Sequence, residues 1–313
     1  MRIGVDIMGG DFAPEATLLG AILARKDLPD ETELVLFGDQ DTINKLATRE
    51  RYDLSGFTVF HTPHFIEMKD HPARAFSEKP KSGIVEGLRM LKAGKLDGFA
   101  SAGNTGAMLV GAMQIINSIP GVIRPCLAAS IPNDRGKPTI LLDIGLNPDA
   151  RPDVLYQYGI FGSIYANLVH GMEDPKVGLL NIGKEEEKGN LLTKATYQAM
   201  KNTKEFNFIG NVEGNDFFRE NGVDVIVCDG FIGNVLVKEL EAFYSMLRRR
   251  NIKDDFTEQF NFEKLGGTPI LGILSPVVIG HGVSNGTAIC NMILHARDVI
   301  ESNLIGKIKE KFQ

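Results

Sequence analysis

Cysteine is scarce: the 313 residues contain three, Cys126, Cys228 and Cys290, with no C-x-x-C pair among them. No disulfide framework follows from that number and spacing. A reducing cytoplasm fits better than secretion, and a structural zinc site lacks ligands at the usual spacing. Basic charge is not in excess either. The 34 Lys and Arg against 40 Asp and Glu leave a formal net charge of −6, which argues against a dedicated nucleic-acid binder. Apolar runs are broken by Gly, Asn and Pro well short of the ~18 residues that a spanning helix requires. The first residues, Met1 to Asp6, read as a strand rather than a leader. Two nucleotide signatures are missing as well. No G-x-x-x-x-G-K-[ST] run occurs, and no G-x-G-x-x-G follows the first strand. The residues thus point to no cofactor and no metal.

What is present is an alternation of strands and helices. Apolar residues make up 43% and charged residues 24%, an ordinary balance for a globular chain. Strands are expected over Ile3–Ile7, Leu34–Phe37, Phe57–Phe60, Asp97–Ser101, Thr139–Ile144, Lys176–Ile182, Phe206–Ile209, Val223–Cys228 and Val277–Ile279. Helical spacing covers Pro14–Arg25, Thr42–Glu50, Ser82–Lys92, Thr105–Ile116, Pro152–Val169, Leu191–Met200, Val235–Arg248 and Thr287–Ile300. His61 to Pro80 carries no strong period and reads as a long loop. Continuous apolar strands separated by helices predict an α/β fold, a Rossmann-like, mostly parallel sheet with helices on both faces. Residues 1–313 would form a single large α/β unit, or two lobes with the cleft between them.

The strands end in glycine corners rich in Asn and Asp. They are Asp6-Ile7-Met8-Gly9-Gly10-Asp11, Ser101-Ala102-Gly103-Asn104-Thr105-Gly106, Asp143-Ile144-Gly145-Leu146-Asn147, Asn181-Ile182-Gly183, Gly210-Asn211, Asp229-Gly230-Phe231-Ile232-Gly233-Asn234 and Gly280-His281-Gly282. Open α/β sheets bind ligands at the carboxyl ends of their strands. Turn chemistry alone explains any one corner; so many together favour a shared polar site. Gly103 to Gly106 opens a helix and suits a small anion, although Thr105 is equally a helix cap. Cationic partners come from Lys184, Lys188 and Lys238, or from Arg74, Lys79 and Lys81 on the long loop. His281 between glycines is a candidate acid, base or oxyanion donor. Cys228 is a nucleophile candidate, with a buried strand cysteine as the plainer alternative.

In this order the corners resemble those of bacterial phosphate acyltransferases. The resemblance is carried by Val5 to Asp11 with Pro14, Ser101 to Ala107, Arg124-Pro125, Leu142 to Gly145 with Asn147, Lys188-Gly189-Asn190, Gly210-Asn211 with Glu213-Gly214, Cys228 to Phe231 with Gly233-Asn234, Gly266-Gly267, and His281-Gly282 with Ser284. It departs at Ala75 to Pro80, where an Arg-rich stretch is usual, at Ser82-Gly83, where two serines are, and at Leu146, where a small residue is.

The resemblance implies an enzyme that turns acyl-acyl-carrier-protein and inorganic phosphate into acyl phosphate and free carrier protein. It also implies a fold akin to phosphotransacetylases and isopropylmalate dehydrogenases, a homodimer, and a place in phospholipid synthesis feeding a membrane glycerol-phosphate acyltransferase. Lys188, Asn234 and His281 are then the expected catalytic groups. Phosphate and substrate contacts are expected from Asp6, Gly9, Gly10, Asp11, Gly103, Asn104, Thr105, Gly106, Asp143, Asn147, Asn190, Asn211, Asp229, Lys238 and Ser284. An acidic carrier needs a local basic surface on this acidic chain, and Arg248, Arg249 and Arg250 supply one. They lie in a segment, 241–268, expected to protrude for dimer, carrier or membrane contact, with Phe256, Phe260 and Phe262 exposed. The rival readings are a dehydrogenase of the isopropylmalate type, a phosphotransacetylase-like enzyme, and a non-catalytic anion or carrier-binding module.

Overall fold

Ile3 and Val5 alternate with Gly4 and Asp6 along the first strand, and that alternation decides which face each side chain serves. In the computed structural model, Ile3 and Val5 join a core with Leu18, Leu34, Leu36, Ile289 and Ile293. Gly4 turns the other way, toward Phe37 and Phe99. The structure describes every residue except Glu220, Asn221, Leu265 and Gln313, and at Phe262 the backbone alone. The chain divides into two compact units, Met1–Asn117 with Phe262–Glu301, and Ser118–Asn261 with Ser302–Gln313.

The first unit runs β1 (Arg2–Asp6), α1 (Glu15–Asp27), β2 (Glu33–Gly38), α2 (Gln40–Glu50), β3 (Phe57–His61), α3 (Pro72–Glu78), α4 (Gly83–Lys92), β4 (Gly98–Ser101) and α5 (Thr105–Gly111), which continues into a π-helical turn over Ala112–Ile116. The second begins with β5 (Cys126–Ile131), β6 (Thr139–Leu142), α6 (Pro152–His170), β7 (Lys176–Leu180), α7 (Leu191–Met200), β8 (Asn207–Val212), β9 (Val225–Val227) and α8 (Gly230–Arg249). The chain returns to the first unit for β10 (Thr268–Leu271), β11 (Val277–Ile279) and α9 (Gly286–Glu301), and closes the second with α10 (Leu304–Phe312).

In the first unit the strands lie in the order β3-β2-β1-β4-β11-β10. All pairs are parallel except β10 with β11. Helix α1 packs on α9 so closely that a Cβ on Gly20 would lie 2.4 Å from the Ile289 side chain. On the opposite face a Cβ on Gly87 of α4 would strike the Phe99 ring. Both faces are therefore covered, as parallel sheets require. The second unit orders its strands β5-β6-β9-β7-β8, antiparallel only between β5 and β6.

The expected strands and helices all form, with shifted ends. Four elements go beyond expectation. β5 and β10 are paired antiparallel, β10 is only four residues long, and β5 carries two alanines, poor strand formers. α10 follows Asn303 in the left-handed conformation, φ 52°, and its Leu304 and Ile308 are buried. The stretch His61 to Pro80 contains α3 and a bridge from His64 to Ser82. It is an ordered segment, where an aperiodic loop was expected.

Candidate active site

Within the first unit the corners after β1, β4 and β11 interlock. Parallel pairing sets Val5 beside Ala100, so the next residues, Asp6 and Ser101, meet. The Ser101 hydroxyl donates to Asp6 Oδ2 at 2.8 Å and accepts from the Gly103 N–H at 2.9 Å. The Met8 N–H donates to Asp6 Oδ1 at 3.3 Å. Burial pushes the Asp6 carboxyl up to about 6, against these two hydrogen bonds, which favour its charge. From the third corner, the Gly282 carbonyl accepts from the Asp11 N–H at 2.7 Å. A Cβ on Gly9 would lie 2.3 Å from Asp6 Oδ2 and 2.8 Å from the Gly103 backbone. Gly10 sits at φ +118°, a conformation that side chains disfavour. The wall of this corner is backbone because side chains do not fit.

Asn104 has a different task from the one expected. Its Oδ1 caps α5 by accepting from the Ala107 N–H, and its Nδ2 donates to the carbonyls of Glu67, Met68 and Asp70 at 3.0–3.2 Å. The carboxamide is thereby spent on tying the 61–71 segment to the corner, and the side chain is not left over for phosphate. The N–H groups that remain are those of the first helical turn at Thr105 and Gly106, which have no intrahelical acceptor. Lys79 and Arg74 are likewise engaged, with Asp70 and Glu78. His281 is half-buried in the β11 corner, and its carbonyl accepts from the N–H of buried Ser284.

In the second unit the corners after β6 and β9 form a second knot. Asp143 is fully buried. Its Oδ1 accepts from the N–H groups of Leu127, Gly145 and Leu146, and its Oδ2 from the backbone and side chain of Asn147. Burial raises its pKa, opposed by those amides. Asn147 also donates to the Pro125 carbonyl at 2.7 Å. Asp229 caps α8 through the Ile232 N–H, and Asn190 caps α7 through the Thr193 N–H. All four side chains have structural partners where substrate contacts were expected. Asn234 is exposed and uses one amide hydrogen on the Ile144 carbonyl at 3.2 Å, which leaves the other available. Asn211 donates to the Glu185 carbonyl while its buried Oδ1 has no partner among the described residues.

The basic candidates separate cleanly. Lys184 pairs with Asp216 and Lys238 with Glu241, so both have carboxylate partners of their own. Lys188 is exposed, and its ammonium has no hydrogen-bond or ion-pair partner among the described residues. Arg248 is held by both carboxylate oxygens of Glu258 at 2.9 and 3.0 Å, which removes it from the docking trio. Arg249 and Arg250 remain. Phe256 and Phe260 are half-buried, not exposed. Their rings meet at 5.4 Å and help to line an apolar cavity of about 200 Å³ with Phe218, Leu240 and Leu247. The Phe262 side chain lies outside the described residues. The stretch 241–268 is divided between the two units at Asn261.

Cys228 fails as a nucleophile on physical grounds. It is buried, its thiol faces the Asp143 carbonyl at 3.6 Å, and burial with the neighbouring Asp229 and Asp143 carboxylates pushes its pKa far up. Cys228→Ala is expected to retain turnover within about threefold, since only the thiolate attacks. Loss of turnover in a folded variant would restore the covalent route. Ser101 is the residue that sequence reading undervalued. Pairing β1 with β4 from their strand patterns would have placed it on Asp6.

Comparison with known proteins decides the family. Residues 1–307 match the family model described as "Fatty acid synthesis protein". The phosphate acyltransferase of Dictyoglomus thermophilum is 39% identical over 330 residues, covering 99% of this chain and 97% of the relative. That of Listeria innocua is 39% identical over 330 residues, covering 99% and 96%. The chain belongs to the phosphate acyltransferase family. A phosphotransacetylase from Streptococcus pyogenes superposes with a TM-score of 0.65 over 96% of this chain and 94% of that one at 16% identity, which shows a shared fold. The resemblance read from the corners and the Rossmann-like architecture are both borne out. The chain is thus an enzyme of acyl transfer to phosphate.

Proposed function

We propose that this enzyme takes its acyl group from acyl carrier protein and delivers it to inorganic phosphate, releasing acyl phosphate and the free carrier thiol. The reading is carried by the interlocked corner of β1, β4 and β11, a turn cluster whose close-packed wall is glycine backbone. Phosphate is already ionised near neutral pH and needs capture more than activation. A phosphate oxygen attacks the thioester carbon, the C–O bond forms, and the C–S bond breaks. The electron pair leaves on sulfur, which then takes a proton. Orientation of this kind supplies ~7–11 kcal/mol in favourable cases.

Residue roles are assigned from position in the corners and, for Lys188 and Asn234, from side-chain donors with no partner among the described residues. Backbone N–H groups at Gly9–Gly10 and Thr105–Gly106 receive phosphate, and in the second unit the ammonium of Lys188 is the candidate partner for an anion. The second amide hydrogen of Asn234, also in the second unit, is a candidate oxyanion donor. His281 is assigned to protonate the departing sulfur. Arg249 and Arg250 are the remaining candidates for holding an acidic carrier. No described helix is long and apolar enough to cross a membrane. A cytoplasmic homodimer working beside a membrane glycerol-phosphate acyltransferase, with peripheral membrane contact, agrees with an acyl phosphate product that needs an acceptor.

The test is to incubate acyl carrier protein thioesters with and without phosphate and to follow free thiol and acyl phosphate together. Thiol should appear only with phosphate, one for each acyl phosphate formed. Phosphate-independent thiol release, or none at any chain length, would overturn the reading.

A further inference from the structure

Two glycine corners, after β1 and β11, and the stretch after β3 each carry an exposed apolar side chain. Phe12 is 56% exposed, Val283 53% and Met68 38%. They belong to one neighbourhood. Phe12 follows Asp11, whose N–H holds the Gly282 carbonyl at 2.7 Å, and Val283 follows Gly282. The Met68 methyl lies so close to Gly282 that a Cβ there would be 2.5 Å from it. The Met68 carbonyl is one of the three held by Asn104. Single exposed apolar residues are ordinary, but three gathered on the border of a polar corner mark a surface that something apolar covers. Nothing in their own loops requires them. The turns are fixed by glycines and backbone hydrogen bonds.

We propose that Phe12, Met68 and Val283 form the seat for the first methylenes of the substrate's acyl tail. The inference rests on the reading of the corner as the phosphate site. In the product the acyl carbon is bonded directly to a phosphate oxygen. The first methylenes therefore lie within a few bond lengths of the anion and must cross the border of the corner that holds it. The polar stretch of that border is Asp11 and Thr105, both exposed. The apolar stretch is these three residues, and burial of methylenes on them is favourable. Methionine, flexible and unbranched, adapts to a chain that has no fixed shape.

The experiment compares kcat/KM for acetyl and palmitoyl carrier thioesters at saturating phosphate, in the wild type and in Phe12→Ala, Met68→Gln and Val283→Thr. The palmitoyl-to-acetyl ratio should fall about tenfold for the largest of these changes, the order expected on withdrawing one side chain of apolar contact. Val283→Thr is nearly isosteric, so its ratio remains readable even if a bulkier change disturbs the fold. An unchanged ratio in all three variants would overturn the proposal. So would loss of the dimer with equal loss on both substrates, which would make the rim a contact between copies. Failure of the phosphate reading looks different: the wild type itself would form no acyl phosphate from either thioester.

Discussion

Lys188→Ala is expected to lower turnover ~10–10²-fold, the loss that follows when one charge-assisted hydrogen bond to an anion is removed, with the fold unchanged. The reason lies in its surroundings. Lys188 is exposed and unpaired among the described residues, so truncating its side chain breaks no ion pair. Its backbone, in contrast, is fixed. The Lys188 N–H donates to the Glu185 carbonyl at 3.1 Å, and its own carbonyl accepts from Asn181 Nδ2 at 3.1 Å. The next residue, Gly189, sits at φ +95°, and a Cβ there would lie 2.0 Å from the Thr193 hydroxyl. A lysine anchored in this way and left without a carboxylate is available for an anion. Phosphate saturation curves check the point. The Michaelis constant for phosphate should rise along with the fall in turnover, and circular dichroism should not change. Activity within twofold of wild type would remove Lys188 from the mechanism.

Asp143→Ala should be the most destabilising single change at these corners, at ~3–5 kcal/mol, because it leaves a buried hydrogen-bond network without its acceptor. Five hydrogens converge on this carboxylate, four of them backbone N–H groups from Leu127, Gly145, Leu146 and Asn147. Alanine leaves those donors buried with nothing to receive them, and each such group is costly. Asp143→Asn keeps one acceptor oxygen and should fall between the two. A chain of this size should show a drop in thermal midpoint on the order of 10 °C for the alanine variant. A shift of only one or two degrees would mean that water replaces the carboxylate and that the corner is not held by it.

How much of this could be read in advance differs from element to element. The parallel strands were legible because burial on both faces makes them uniformly apolar, as in Leu34 to Phe37. Helices such as α6 were legible from their spacing. β5, β10 and α10 were not, since β5 carries two alanines, β10 is only four residues long, and α10 is rich in lysine. The corners stood out in the sequence through their glycines, and the family through their order. What each polar side chain does was less visible. Asn104, Asn147, Asn190 and Asp229 carry the residue types of a binding site, but the fold spends them on caps and on tying loops together. Composition cannot separate a capping asparagine from a ligand-binding one, because both use the same two polar atoms. Lys184 and Lys188 look alike in sequence. They are separated only by Asp216, 32 residues further along, which takes one and leaves the other.

The most direct measurement is diffraction from crystals grown with inorganic phosphate, or with arsenate in its place for an anomalous signal. The anion is predicted within hydrogen-bond reach of backbone N–H groups at Gly9–Gly10 or Thr105–Gly106. An anion bound only at Arg249 and Arg250, with the glycine corner closed against it, would contradict the assignment of that corner to phosphate.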